Sequence, residues 1–290
     1  MIQQNKNSLT AVIPVGNYSA RKSTISENIP RFLANRAWLT VIFVFSGHSR
    51  YEDEVSFRND FGASIRESNV QALISPDVSP GEGRNVGCRL VVTSHVVFWD
   101  DDDTPNLTNL MEAISTCSSD GLIVGQFSRR DPSSPRARIQ SCTRNRWHLF
   151  LNPGLWRIVF PIGVARSVEF CNSLIGEDVV YVMDILLTNP KTTFLLSEFY
   201  EYCPRRDSLS KNFSASKMIQ CLDHLDARVQ NNFSRNFFHT LVWWSLVLSG
   251  LRNSQDSKTF QDYLLKRLFS RKLGIRLLAL PVFLFLKVSE

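Results

Sequence analysis

A patterned set of cysteines, a long apolar run and a glycine-rich phosphate loop are all missing from this 290-residue chain. The six cysteines are scattered, with no CxxC pair, which argues for reduced thiols and against a zinc site or a disulfide framework. The longest apolar runs, 241–248 and 277–286, fall well short of the roughly 20 residues that span a bilayer, so no transmembrane helix is expected. The opening residues, MIQQNKNSLT, are polar, and no secretory signal is expected there. Internal repeats and low-complexity tracts are absent as well. Hydrophobic residues make up 43% of the chain, enough for an ordinary core and too many for global disorder. The expectation is a cytoplasmic globular protein of one large domain, with or without an extension.

Charge is unevenly placed. Residues 205–290 hold 14 Lys and Arg against 6 Asp and Glu, whereas residues 1–204 hold 19 against 21. The net charge of +6 therefore belongs to the C-terminal part. Nucleic acid, an anionic membrane surface or a phosphorylated substrate would each suit such a segment.

Apolar, β-branched runs at 9–15 and 39–45 read as buried strands, closed by Gly16-Asn17 and Ser46-Gly47. Residues 23–38 have helical spacing, with Ile25, Ile29, Phe32 and Leu33 on one face. Further strands are expected at 71–75, 96–99, 122–127 and 193–196, and helices at 84–92 and 107–113. Residues 129–146, rich in Arg and Pro, read as a surface loop, and 147–171 as a second apolar region. At 175–186 an acidic pair leads into a helical stretch, and beyond Ser210 the chain reads as helical. Strands that alternate with helices imply an α/β sheet with mostly parallel strands.

Four consecutive aspartates, Asp100 to Asp103, follow the fourth of these strands. Ligands of open α/β sheets bind outside the carboxyl ends of strands, so the acids are well placed for chemistry. Hard divalent cations prefer carboxylate oxygens, and Mg2+ or Mn2+ often binds one or two carboxylates together with substrate phosphates. On an extended segment Asp100 and Asp102 would face the same side and share one metal–diphosphate unit. A solvated acidic loop is the plainer alternative.

At this point the chain resembles the family 2 glycosyltransferases. Four segments carry the likeness in order, across roughly residues 8 to 210: LTAVIPVGNYS, PGEGRNVGCRLVVTSHVVFWDDDD, GEDVVYV and YEYCPRRDSLS. The resemblance implies a GT-A (Rossmann-like) mixed, mostly parallel sheet flanked by helices in residues 1–210, with a helical C-terminal extension at 211–290. It implies a nucleotide-sugar donor, a glycan or lipid-linked sugar acceptor, and Mn2+ or Mg2+ as cofactor. Carried across, Asp102 would bind the metal, and Asp100 would face the ribose or donor sugar and share the metal. Asp101 joins the donor-binding acids, and Asp103 would hold its neighbours. Pro14, Val15 and Asn17 would line the nucleotide pocket largely through backbone, with Arg84 and Asn85 beside it. Asp178 would be the general base, taking the proton of a poorly nucleophilic acceptor hydroxyl. Glu177 competes for that role. Both acids would also be favourable simply as first-turn residues of a helix.

One departure matters. Where the family's second strand usually ends in Asp-Asp-Gly-Ser, this chain has Phe45-Ser46-Gly47-His48. Ser46 can hydrogen-bond a base but offers no charge, which puts the usual uridine preference in doubt. His48 reads as an exposed loop residue or a replacement contact, His95 as packed near the fourth strand, and His148 as structural or near the acceptor. Arg205 and Arg206 read as diphosphate contacts or as surface residues. The segment 258–288 is basic and amphipathic. It would lie on the inner face of a membrane or pack on the catalytic domain.

The leading expectation is thus an inverting glycosyltransferase of bacterial surface-polysaccharide synthesis. A non-catalytic GT-A-like protein that binds a nucleotide sugar is the alternative, supported by the missing second-strand acid. Nucleic acid is not an expected partner, because the tail's basic residues are interleaved with aliphatic ones. A nucleotidyltransferase would need a glycine-rich loop with a lysine near the first strand.

Overall fold

The computed structural model describes residues 8–66, 68–117, 120–129, 138–140, 149, 154–202, 215–227, and beyond these 240, 243, 244, 247, 258 and 261–264. His148, Arg205, Arg206, the expected boundary at 210 and most of the basic segment 258–288 lie outside the described residues.

The sheet begins with β1 (Leu9–Val15), which pairs in parallel with β2 (Leu39–Phe45) along its full length, Leu9 opposite Leu39 and Val15 opposite Phe45. Beyond β2 lies β3 (Val70–Ile74), also parallel. On its other side β1 pairs in parallel with β4 (His95–Phe98). The sheet continues through β8 (Ile158–Pro161), β6 (Leu122–Arg129), β9 (Thr192–Tyr202) and β5 (Thr104–Pro105), while β7 (Arg138–Gln140) pairs with β6. The antiparallel pairings extend over only two or three positions each, so the sheet is mixed and mostly parallel, as expected.

Both faces are covered, which is why the strands read as continuous apolar runs and not as alternating ones. Leu9, Ala11, Ile13 and Val15 pack on one face with Ile25, Ile29 and Phe32 of α1 (Tyr18–Ala34) and Phe57 of α2 (Arg50–Ile65). Val12, Ile42 and Val44 pack on the other face with Val180, Tyr181 and Met183 of α6 (Glu177–Leu187) and Met218 and Leu222 of α7 (Ala215–Ala227). Trp243 and Leu264 join this second core, and the Tyr263 hydroxyl donates to Asp223 at 2.8 Å. The remaining helices are α3 (Pro80–Leu90), α4 (Leu107–Thr116) and the short α5 (Ile162–Ala165). No described helix is long and apolar enough to cross a membrane.

Element limits differ from the expected ones for local reasons. Helix α1 starts at Tyr18, not residue 23, because the Asn17 side chain accepts from the Ala20 amide at 3.1 Å and caps the first turn. Helix α2 has no counterpart in the sequence reading. Its buried face includes Asp53 and Glu54, so its apolar periodicity is thin. Strand β9 runs to Tyr202, well past the expected end at 196, and carries Ser197, Glu198 and Glu201 within it.

Helix α3 starts at Pro80 rather than 84, with the Ser79 hydroxyl accepting from the Glu82 amide at 3.1 Å and proline in the first turn. Gly81, Gly83 and Gly87 dilute its helical signal, since each costs roughly 0.8–1.0 kcal/mol of helix propensity against alanine. What the glycines allow is contact. A Cβ on Gly87 would stand 2.4 Å from Val12 Cγ1, and one on Gly83 would stand 3.3 Å from Ser46 Cβ. The α3 backbone therefore lies directly on β1 and β2. Gly87→Ala should lower stability in urea unfolding by about 1–3 kcal/mol, because Val12 has no room to retreat.

Candidate active site

From β1 the chain steps outward to β2 and β3, then returns to place β4 on the opposite side of β1. This reversal opens a crevice at the carboxyl ends of β1 and β4, the usual ligand position in such sheets. Three segments meet there: Gly16-Asn17 after β1, Ser46-Gly47 after β2, and the aspartates after β4. The loops after β1 and β2 touch so closely that a Cβ on Gly47 would lie 1.8 Å from the Gly16 carbonyl oxygen.

The aspartates do not continue the strand, as the sequence suggested. Strand β4 ends at Phe98, and residues 101 and 102 form a turn. The turn divides the four carboxylates among Arg84, Arg21 and Tyr200. Asp100 accepts from Arg84 Nη2 at 2.8 Å and keeps 37% of its side chain exposed. Asp101 accepts from the Gly16 amide at 3.3 Å and lies 3.4 Å from Arg21 Nε. Asp102 lies 3.5 Å from Arg21 Nη2. Asp103 turns inward, only 2% exposed, and accepts from the Tyr200 hydroxyl at 2.9 Å. That same hydroxyl accepts from the Asp100 amide at 3.1 Å. Asn28 of α1 donates to the Asp103 carbonyl at 3.1 Å, and Arg31 braces Asn28 and the Pro105 carbonyl. The acid turn is thus held from below by β9 and α1, while Asp100, Asp101 and Asp102 remain at the crevice.

Burial, together with the neighbouring Asp102, pushes the Asp101 carboxyl up to about 7 even though Arg21 pulls the other way. The turn concentrates more negative charge than its arginine offsets. Burial likewise keeps the Tyr200 phenol well above its ordinary range, so it stays a donor to Asp103.

Facing the turn is the N-terminus of α6, opened by Gly176 at φ 73°, a left-handed conformation that suits glycine. Glu177 and Asp178 stand in its first turn. They diverge in role. Glu177 is buried and accepts from Arg84 Nη1 at 2.5 Å. Asp178 is half-buried, and among the described residues no cation lies within ion-pair distance of it. Burial raises both carboxyls above the usual range against the pull of Arg84. For Arg84, burial opposes the charge, but Glu177 and Asp100 outweigh it and hold the guanidinium firmly protonated. Asn85 also turns inward, bonding Phe170 through both its amide group and its carbonyl oxygen.

The nucleotide-side residues are placed as follows. Pro14 and Val15 end β1, and Val15 is fully buried. The Asn17 side chain is engaged in capping α1, which leaves its backbone for other contacts. Ser46 is 1% exposed beneath Gly83, so its hydroxyl does not stand on the open rim. His48 is an exposed loop residue, and His95 is the buried first residue of β4. Sequence reasoning missed Arg21, Asn28 and Tyr200. Tyr200 lay in a segment read only as a family motif, and Arg21 ahead of the helix expected to begin at 23; the signal that could have found it is Asn17, a residue type that caps helices.

The acid turn suits a hard divalent cation in donor chemistry. No group of three His, Cys, Asp or Glu side chains is arranged around a common point among the described residues. Two carboxylates plus a ligand's diphosphate would nevertheless complete a Mn2+ or Mg2+ shell.

No protein-family model matches the chain, and no curated protein does. Solved structures match in fold. S. aureus TarS 1-349 in complex with UDP-GlcNAc aligns with a TM-score of 0.61 at 12% identity, over 95% of this chain and 80% of that one. The mannosyltransferase PcManGT from Pyrobaculum calidifontis, in complex with GDP-Man and Mn2+, aligns with a TM-score of 0.53 at 10% identity, over 96% and 84%. Against the longer S. aureus TarS chain the TM-score is 0.55, and the match covers 86% of this chain but 44% of that one. The fold is the GT-A type, a mixed sheet with helices on both faces.

Arg84→Met would leave Glu177 buried without its cation and loosen Asp100. Its expected cost is about 3–5 kcal/mol in urea unfolding. Tyr200→Phe, which strips a donor from buried Asp103, should cost about 1–3 kcal/mol by the same measurement.

Proposed function

We propose that this protein is an inverting glycosyltransferase that moves a sugar from a nucleotide-sugar donor to a hydroxyl of a glycan or lipid-linked acceptor. The observation that carries the reading is the pairing of two acidic groups across one arginine. Arg84 ties Asp100 of the acid turn to Glu177 beside Asp178, at 2.8 and 2.5 Å. A donor-side acid cluster and a candidate base therefore stand within one side chain of each other at the mouth of the sheet. The solved neighbours that bind UDP-GlcNAc and GDP-Man support a nucleotide-sugar donor. The bacterial surface-polysaccharide setting rests on the family resemblance alone.

In this reading Asp178 is the general base. It takes the acceptor O–H proton as the oxygen attacks the anomeric carbon, while the bond from that carbon to the diphosphate oxygen breaks and the nucleoside diphosphate leaves. One displacement inverts the anomeric centre. The raised pKa of Asp178 suits the task, because a base works best when its pKa is near the working pH. Glu177 is committed to Arg84 and acts as a positioning residue. Mn2+ or Mg2+ held by Asp102 and Asp100 would supply positive charge to the leaving diphosphate. Val15, Gly16 and Asn17 offer backbone to the nucleotide. Gly16 already donates to an acid of the turn, which places that amide at the crevice.

The test is a thermal-shift panel of UDP, GDP and their sugars, with and without Mn2+, followed by a transfer assay with the stabilising donor. A metal-dependent rise of several degrees for one nucleotide is expected in wild type and not in Asp102→Ala. Asp178→Asn should keep that rise yet lose roughly 10²–10⁴-fold in turnover. If nucleotide sugars bind but neither transfer nor hydrolysis occurs, the protein is a non-catalytic binder. If no nucleotide shifts a folded sample, the acid turn is an acidic loop only.

A further inference from the structure

We infer that Asn85 is a positioning residue for the general base: it clamps the backbone of Phe170 and so fixes where α6 presents Asp178 to the acid turn. The inference rests on the reading of Asp178 as the base. It moves Asn85 from the nucleotide's side of the crevice, where the family resemblance would put it, to the side of the base.

Asn85 sits in the middle of α3 and is 8% exposed. A buried side-chain amide is costly unless both of its ends are bonded. Here Nδ2 donates to the Phe170 carbonyl at 3.1 Å, and Oδ1 accepts from the Phe170 amide at 2.9 Å. One side chain thus pairs with a residue's backbone as a neighbouring strand would. Nδ2 also donates to Glu82 at 3.1 Å, and Glu82 accepts from Arg89 at 3.0 Å, which fixes the end of the amide that donates. Phe170 lies in the segment between α5 and α6. Its ring is stacked on Tyr181 of α6, with 3.7 Å between centroids and 6° between planes. It meets Phe98, the last residue of β4, edge-on at 5.0 Å. The Arg84 guanidinium lies 5.6 Å from the same ring. One aromatic ring therefore touches both the strand that leads into the acid turn and the helix that carries the base. Asp178 is three residues before Tyr181, and residues three apart are neighbours on a helix surface. The same segment is tied to the start of α3 at two more points. Asn172 donates to Asp77 at 2.7 Å, and a Cβ on Gly81 would stand 2.5 Å from the Cys171 carbonyl oxygen. The clamp thus sets the approach of Asp178 to the acid turn through Phe170.

The test separates donor binding from turnover. Turnover of the full chain is read as UDP or GDP released from the nucleotide sugars of the panel above. Water stands in for the acceptor hydroxyl, so no glycan is needed. UDP and GDP affinity is measured by calorimetry, and circular dichroism confirms folding. Asn85→Ala should release nucleotide about ten- to hundred-fold more slowly than wild type. Its affinity for the nucleoside diphosphate should stay within about two-fold. In an Asp178→Asn background the same substitution should change the rate by less than about two-fold, because a residue that acts through the base has nothing left to position. Should Asn85→Ala not fold, Asn172→Ala decides. Asn172 is exposed, and its loss should slow release about two- to ten-fold, again only where Asp178 is present. Affinity and turnover that fall together return Asn85 to the nucleotide's side and overturn the proposal. An unchanged rate, or an equal loss with and without Asp178, also overturns it, while the glycosyltransferase reading stands on the turnover of wild type. If wild type releases nucleotide from no donor, that reading fails and takes this proposal with it.

Discussion

A single buried guanidinium, shared between two carboxylates from distant parts of the chain, is the interaction around which the site is assembled. The β4 turn and the α6 N-terminus both carry acids, and bringing them together uncompensated would be costly. Arg84 makes their approach favourable, with Asp100 on one side and Glu177 on the other. It can do so only because α3 lies against β1 and β2 with glycine at the contacts. Bulkier residues at Gly83 and Gly87 would lift the helix and draw the cation out of reach. Backbone packing on one face of the sheet thus sets the electrostatics at its end.

The two acids of α6 show how one helix start can divide its labour. Glu177 and Asp178 are adjacent, have the same chemistry and are both raised in pKa by burial. Their difference lies in their partners. The buried acid is paired with Arg84, and the half-buried one makes no ion pair among the described residues. In the sequence the family resemblance favoured Asp178 as the base with Glu177 competing, but nothing in the letters ED says which carboxylate will meet an arginine 93 residues earlier.

Much of the fold was legible in the sequence, and the reason is physical. Strands buried on both faces must be apolar throughout, so 9–15 and 39–45 announced themselves. Elements whose stability comes from contact with others were missed, as α2 was, or legible only in part, as α3 and β9 were. Helix α2 buries Asp53 and Glu54, α3 is diluted by glycine, and the far half of β9 carries polar residues. The candidate acids were readable because four aspartates after an apolar strand are unusual. Their geometry was not, since an extended Asp-x-Asp and a turn have the same sequence. Arg21 was invisible for a related reason. A lone arginine in a polar helix start carries no pattern, and its meaning lies entirely in what the fold sets opposite it.

The Tyr200 hydroxyl joins the acid turn to a strand 100 residues further along the chain. The first 103 residues hold the loops after β1 and β2 and all four aspartates, yet they are not a self-sufficient cassette. The amide of Asp100 and the carboxylate of Asp103 gain the Tyr200 hydroxyl only when β9 has been laid into the sheet. The site is therefore closed by a contact of long sequence separation, whose formation carries a loop-entropy cost that local contacts do not.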